Sequence, residues 1–302
     1  MRVFIAGGSG TMGVPLVRAL VAGGHQVTAL TRAAAKQEML QRMGAAVSIA
    51  DALDREALIA AVHAAAPTHV IHQLTALPKA GPRRARDLEA TNRPRVEGTR
   101  NLLDAAIAAG ARRLVVGSFA MLSRREQLET EPVDAAAQAV RSMEAQVLDA
   151  TTRGSIDGVI LRYGLFYGME VPSTVAMIGM VRKRMLPVIR GDAGQLPLIH
   201  VEDAVRATVR ALDAARAGGA YEIVDDRPVS MAEIVAAIAE YTGSARPFSI
   251  PAWLPRLVAP YMARMSSIQL PLSNAKAKAE LGWQPKYPTL RDGLAHMLRA
   301  AA

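Results

Sequence analysis

The first 165 residues alternate short apolar runs with longer segments whose apolar positions recur every three to four residues. The runs "RVFIAG", "QVTALTR", "AVSIA", "THVIHQL", "RRLVVGS" and "SIDGVILRYG" predict strands. The segments "TMGVPLVRALVAGG", "AAAKQEMLQRMG", "DREALIAAVHAA" and "RPRVEGTRNLLDAAIAAG" predict helices, as does "QAVRSMEAQVL" (138–148). Strands this apolar must be buried on both faces, and strand–helix alternation predicts an α/β fold with a doubly wound parallel sheet and right-handed crossovers. After Gly164 the rhythm breaks and prolines crowd the chain. The expected division is a sheet domain over 1–165 and a smaller mixed domain over 166–302, with 196–226 returning to the first.

One segment gives the sheet domain a purpose. "AGGSGTMG" (6–13) sits between the first strand and the first helix. Gly7 or Gly8 permits a tight turn, Gly10 lets backbone approach a pyrophosphate, and Gly13 lets helix pack on strand. The amides of Ser9, Thr11 and Met12 at the helix start then face the phosphates. Two registers fit, Gly8-x-Gly10-x-x-Gly13 and Gly7-x-x-Gly10-x-x-Gly13. The sheet domain therefore reads as Rossmann-like and dinucleotide-binding, and 166–302 as its substrate domain. The second strand selects the cofactor. A reader of the ribose 2′-hydroxyl would end it on Asp or Glu, yet no acidic residue occurs from Met1 to Gln37. Thr31, Arg32 and Lys36 stand there instead, and a guanidinium suits a 2′-phosphate, so NADP(H) is expected over NAD(H).

Composition narrows the partners. With no cysteine there are no disulfides, thiolate nucleophiles or thiolate metal sites, and six scattered histidines form no metal-ligand cluster. The formal charge of +9 reads mainly as arginine at solvated positions. The basic clusters "PKAGPRRAR" (78–86) and "RKR" (182–184) lack the interleaved aromatics that single-strand binding uses, so nucleic acid is not expected. No apolar run is long enough to span a bilayer or serve as a signal peptide, so a soluble, cytoplasmic protein without a membrane partner is expected. Residues 78–86 follow the fourth strand at the ligand-binding edge, which makes an anionic small-molecule substrate a fair expectation. The segment "IPAWLPRLVAPYMARM" (250–265) is expected to form a pocket wall or lid.

With these motifs in order, the chain resembles the extended and atypical short-chain dehydrogenase/reductases, the NAD-dependent epimerase/dehydratase group. "FIAGGSGTMG", "IADALDREAL", "HVIHQLTAL", "VEGTRNLLDAA", "RRLVVGSFA", "LRYGLFYG", "IHVEDAVRA" and "AKAELGWQPKYPTLRDGL" carry the likeness nearly end to end. The resemblance implies that Asp51 contacts the adenine, that Thr75 lies beside the nicotinamide ribose, and that Ser118 holds the place of a catalytic Ser or Thr. It also implies Tyr-x-x-x-Lys on the helix after the fifth strand, where the Tyr exchanges a proton and the Lys lowers its pKa. Here "AVRSMEAQ" puts Ala139 and Met143 at those positions, and no tyrosine in the chain has a lysine four residues on. Neither side chain can exchange a proton.

Three functions stay open: an NADP(H) oxidoreductase acting on a small carbonyl-type or related substrate with a non-standard proton donor, an inactive NADP(H) sensor, and a non-redox isomerase, lyase or cyclase. Candidate donors are Ser118, Tyr163, Thr75 and Arg141. His72 reads as a satisfied core histidine, and His200 as part of a strand-to-helix junction where Asp203 bonds local backbone. Homodimers are common in the family; the sequence itself neither supports nor excludes one.

Overall fold

In chain order the strands are β1 (Arg2–Ala6), β2 (Gln26–Thr31), β3 (Ala46–Ile49), β4 (His69–His72), β5 (Arg113–Phe119), β6 (Asp157–Tyr163), β7 (Leu165–Tyr167), β8 (Val188–Ile189), β9 (Leu198–His200), β10 (Ala220–Ile223) and β11 (Ser249–Ile250). They come from a computed structural model, which describes residues 1–77, 85–123, 135–191, 194–251, 253–258, 269 and 272–299. Seven strands form one parallel sheet in the order β10-β6-β5-β4-β1-β2-β3. Chain direction across the sheet reverses between β1 and β4, so a crevice opens beyond their carboxyl ends, where open α/β sheets bind ligands.

The helices that position the site are α1 (Gly13–Ala22), α2 (Gln37–Arg42), α3 (Arg55–Ala65), α4 (Glu89–Arg93), α5 (Thr99–Ala108), α6 (Ala120–Ser123), α7 (Ala135–Thr152), α8 (Pro172–Arg182), α9 (Val201–Ala211) and α10 (Met231–Tyr241). Strand side chains alternate between faces, and each face meets its own helices. Val3, Ile5, Val115, Leu161 and Tyr163 pack with Leu16 and Val17 of α1 and Ala204 and Val205 of α9. Phe4, Ala6, Val70, Leu114 and Val116 pack with Leu58 of α3, Leu102 of α5 and Met143 and Val147 of α7. The expected doubly wound sheet is therefore present, with both faces covered.

β9 leads into α9, which packs against α1, and β10 joins the sheet beside β6. Ala277, Leu281 and Trp283, from the stretch assigned to the substrate domain, enter the same core. The indole of Trp283 donates to the Asp203 carbonyl at 3.1 Å. A separate apolar cluster joins Met121 and Leu122 of α6 and Val140 of α7 to Ile178 of α8, Val235 of α10 and Leu294 of the helix Leu290–Arg299. Two short parallel ladders, β7 with β9 and β8 with β11, complete this half.

Candidate active site

The glycine turn runs from the end of β1 into α1. Gly7 has φ +90°, a region only glycine enters without strain, and a Cβ on it would lie 2.5 Å from the Gln73 carbonyl oxygen. A Cβ on Gly13 would lie 2.2 Å from the Gly7 oxygen, and one on Gly8 2.7 Å from the Ala29 Cβ. These three glycines are required by the chain's own packing. Gly10 is different: its Cβ would meet only the Gly7 oxygen, at 3.3 Å, and the residue is exposed. Its bare Cα keeps a surface open to something outside the chain. No side chain caps α1 and its first turn carries no acidic residue, so the positive end of the helix is available to an anion. Thr11 is exposed beside Gly10, whereas the Met12 side chain turns into the core and leaves only its backbone to the turn.

Ser9 ties the turn to β2, its hydroxyl 2.8 Å from that of Thr31. Thr31 is buried and accepts from the Ala33 amide, so it shapes the β2 exit. Arg32 and Lys36 are exposed, and their side chains make no hydrogen bond or ion pair among the described residues. Asp51, past the neighbouring β3, uses Oδ1 to accept from the Leu53 amide at 3.0 Å. On the other side of the crevice Thr75 is exposed, and the Ala76 amide donates to Thr91 Oγ1 at 3.0 Å. The turn, the ends of β2 and β3 and the segment after β4 thus lie along one edge of the sheet. Of the basic loop, residues 78–84 lie outside the described residues, as do 259–265 of the expected lid.

Ser118 ends a different construction. Ser118, Arg162 and Glu222 are register neighbours on β5, β6 and β10, so they form a polar row on one face of the sheet. Glu144 of α7 closes over it. Its carboxylate accepts from the Ser118 hydroxyl at 2.5 Å and from Arg162 Nη2 at 2.6 Å, while Arg162 Nη1 reaches Glu222 at 3.5 Å. Ser118, Glu144 and Glu222 are all buried. Ala139 and Met143, on the same helix, are also buried, and Met143 belongs to the apolar cluster under the sheet.

Tyr163 points the other way. It is on β6 next to Arg162, and the alternation carries it to the α9 face, opposite Ser118. Its buried hydroxyl lies 2.7 Å from Thr208 Oγ1 and accepts from Gln73 Nε2 at 3.1 Å. Burial pushes the phenol up to about 12, so it holds its proton at neutral pH. The two candidate hydroxyls therefore do not converge. Gln73, which the sequence reading missed, links Tyr163 to the turn. The one available signal was an uncharged polar residue at the end of an apolar strand. Glu144 also went unremarked as a site residue; an acid inside the helical apolar stripe was its only trace.

His72 is a satisfied core residue. Nδ1 accepts from the Leu74 amide at 3.3 Å, which leaves the proton on Nε2 to bond Thr99 Oγ1 at 2.8 Å. Burial lowers its pKa to about 4, so the ring stays neutral. His200 caps α9 through Nδ1. Asp203 departs from the expectation of local bonding: it accepts from the amides of Lys286 at 2.7 Å and Tyr287 at 2.9 Å, tying distant chain to the junction. Past β10, the Asp225 carboxylate is buried beside the Tyr167 hydroxyl, and burial raises this acid to about 8. No group of three His, Cys, Asp or Glu positioned to hold a metal ion occurs among the described residues.

Residues 3–225 match the model of the NAD dependent epimerase/dehydratase family. The chain belongs to that family. A 3-diazoavenalumate denitrifying reductase of a Streptomyces species is 38% identical, the match covering 97% of this chain and 99% of the relative. A 2-alkyl-3-oxoalkanoate reductase of Stenotrophomonas maltophilia is 28% identical over 82% of this chain and 77% of its own. Among solved structures, the UDP-glucose 4-epimerase of Thermus thermophilus, in complex with NAD, superposes with a TM-score of 0.78 at 24% identity, covering 99% of this chain and 98% of that one. A dTDP-glucose 4,6-dehydratase of Streptomyces venezuelae does so with 0.79 at 20% identity, covering 99% and 96%. Family membership makes the chain an NAD(P)-dependent enzyme of oxidoreductase type, and the open surface at Gly10 with the uncapped start of α1 fits a nicotinamide dinucleotide. Among the described residues, no helix is long and apolar enough to cross a membrane.

Proposed function

We propose that the protein is an NADP(H)-dependent reductase whose substrate accepts a hydride without a protein-bound acid. The observation that carries this reading is the burial of Ala139 and Met143 in α7, where the family resemblance expects a tyrosine and a lysine. Gly10, Thr11 and the amides at the start of α1 would hold the pyrophosphate, Arg32 and Lys36 the 2′-phosphate, Asp51 the adenine, and Thr75 and Ser118 the nicotinamide end. Bound there, the reduced nicotinamide supplies a hydride. Tyr163 is read as a positioning residue that holds Gln73 against the turn, not as a proton donor.

The reductase of a diazo compound, 38% identical, suggests the substrate class. An aryl diazonium carbon that gains a hydride and loses dinitrogen needs no proton. The new C–H bond takes the hydride pair, the C–N pair departs with N2, and the cofactor leaves oxidised. A carboxylate elsewhere on such a substrate would suit the basic loop at 78–86. A second reading, a cofactor-binding sensor without chemistry, draws on the same loss of Tyr and Lys. The non-redox reading has the family's epimerases and dehydratases behind it, but the reductase relatives favour net hydride transfer.

The test is turnover of a carboxylated arenediazonium with NADPH against an enzyme-free control, following nicotinamide absorbance and nitrogen release. A parallel panel holds ketones, enals and imines. The expected result is enzyme-dependent loss of N2, with deuterium from labelled NADPH at the carbon that carried nitrogen. Cofactor binding without turnover on the whole panel would overturn the reductase in favour of the sensor. Product formed at constant nicotinamide absorbance would indicate non-redox chemistry. Arg32→Ala is expected to weaken NADPH binding roughly tenfold while leaving NADH unchanged; equal losses for both would remove the NADP(H) assignment.

A further inference from the structure

A serine at the end of β5 ordinarily serves a reductase by donating its proton to an oxygen that becomes negative. Ser118 has one proton, and the Glu144 carboxylate takes it at 2.5 Å in the core. Glu144 can give none back, because both its oxygens accept from the Arg162 guanidinium, at 3.1, 3.2 and 2.6 Å. Arg162 in turn joins that carboxylate to Glu222, at 2.6 and 3.5 Å, so the acceptor behind the hydroxyl is held in place. What Ser118 has left for a ligand is lone pairs.

We infer that Ser118 meets its substrate as an acceptor backed by Glu144, so that the site selects a positively charged aryl electrophile over a neutral carbonyl. Glu144 acts through Ser118 and is a positioning residue for specificity. An oxyanion would face oxygen lone pairs and gain nothing there, whereas a cationic ring or diazonium group would be attracted. The inference rests on the proposed reductase only for placing the substrate beside Ser118. It concerns recognition, and it is tested by binding.

The experiment is calorimetric binding of 1-methylquinolinium and of 1-tetralone, a neutral bicyclic ketone, to the full protein saturated with NADP+. The native protein is expected to bind the cation about tenfold more tightly, about 1.4 kcal/mol. Ser118→Ala, which keeps the Glu144–Arg162 pair, is expected to cut that preference to about threefold. Glu144→Gln, which gives Ser118 an amide donor and frees its proton, should abolish it and improve ketone binding. Equal or tighter ketone binding by the native protein overturns the inference, as does failure to bind the cation. So does a preference that stays near tenfold in Ser118→Ala, whether or not Glu144→Gln folds. If the reductase reading alone were wrong, turnover would be missing while the cation preference remained.

Discussion

The glycine turn and the polar row at the end of β5 lie on the same edge of one sheet, yet they are built in opposite ways. The turn is one continuous octapeptide without a charged residue, and its shape follows from missing side chains: Gly7, Gly8 and Gly13 exclude any Cβ. The row is drawn from four elements, and its shape follows from charges that must find one another once buried: Ser118, Arg162 and Glu222 on neighbouring strands, with Glu144 folded over from α7. A contiguous motif can be inherited as a string. A buried network exists only when every member arrives, because each orphaned charge costs several kcal/mol.

The sharpest way to break the second region is Arg162→Met. It strands the buried Glu144 carboxylate without its cation, and the expected loss is about 3–5 kcal/mol of stability, read by urea unfolding. A loss under about 1 kcal/mol would mean that the row is not a unit. The turn should separate its own glycines. Gly13→Ala forces a Cβ to 2.2 Å from the Gly7 oxygen, so both stability and cofactor affinity should fall; a cost of roughly 2–3 kcal/mol is expected, as for other overpacked sites. Gly10→Ala meets only one oxygen, at 3.3 Å. Its stability should change by no more than about 0.5 kcal/mol, as at ordinary surface positions, while cofactor binding drops roughly tenfold. If Gly10→Ala bound cofactor normally, the open surface there would have another explanation.

A pH titration sharpens the contrast, since the turn has nothing to titrate and the β10 end does. Burial raises Asp225 from 3.8 to about 8, so the folded state binds a proton that the unfolded chain has lost. Its stabilising contribution is full below pH 3.8 and is lost as pH rises towards 8. His72 and His200 act with opposite sign: burial lowers both from 6.5 to about 4, so stability falls as pH drops from 6.5. Between pH 6.5 and 8 Asp225 acts without them. There stability should decline by up to about 1.4 kcal/mol per pH unit, and Asp225→Asn should flatten the decline. An unchanged slope in the variant would show that Asp225 is ionised in the folded protein.

The smallest expected effect concerns Tyr163. Tyr163→Phe should leave turnover at neutral pH within about twofold, costing only the roughly 1 kcal/mol of its buried hydrogen bonds. A loss of activity near a hundredfold would restore the phenol as a proton donor.

What could be read before folding follows the same division. Apolar runs with helical spacing between them announced the sheet and its order of elements, since period-two and period-3.6 patterns are local. The turn and Arg32 were likewise visible in contiguous residues. Tyr163 and Ser118, both named as donors from position alone, proved to face opposite sides of the sheet, a matter of strand register relative to α7 and α9. Gln73, Glu144 and Thr208 carried no motif, because their partners lie 90, 26 and 45 residues away.

By itself, then, the sequence determined a doubly wound sheet, a glycine-lined bend between its first strand and helix, and the absence of any tyrosine with a lysine four residues on, because each is a statement about neighbours along the chain. The tertiary structure alone decided that the Ser118 proton goes to Glu144, that Asp203 ties down Lys286 and Tyr287, and that residues 275–283 return to the sheet's core. Those outcomes depend on which distant groups are desolvated together, and hydrogen-bond partners inside a core are set by proximity in space.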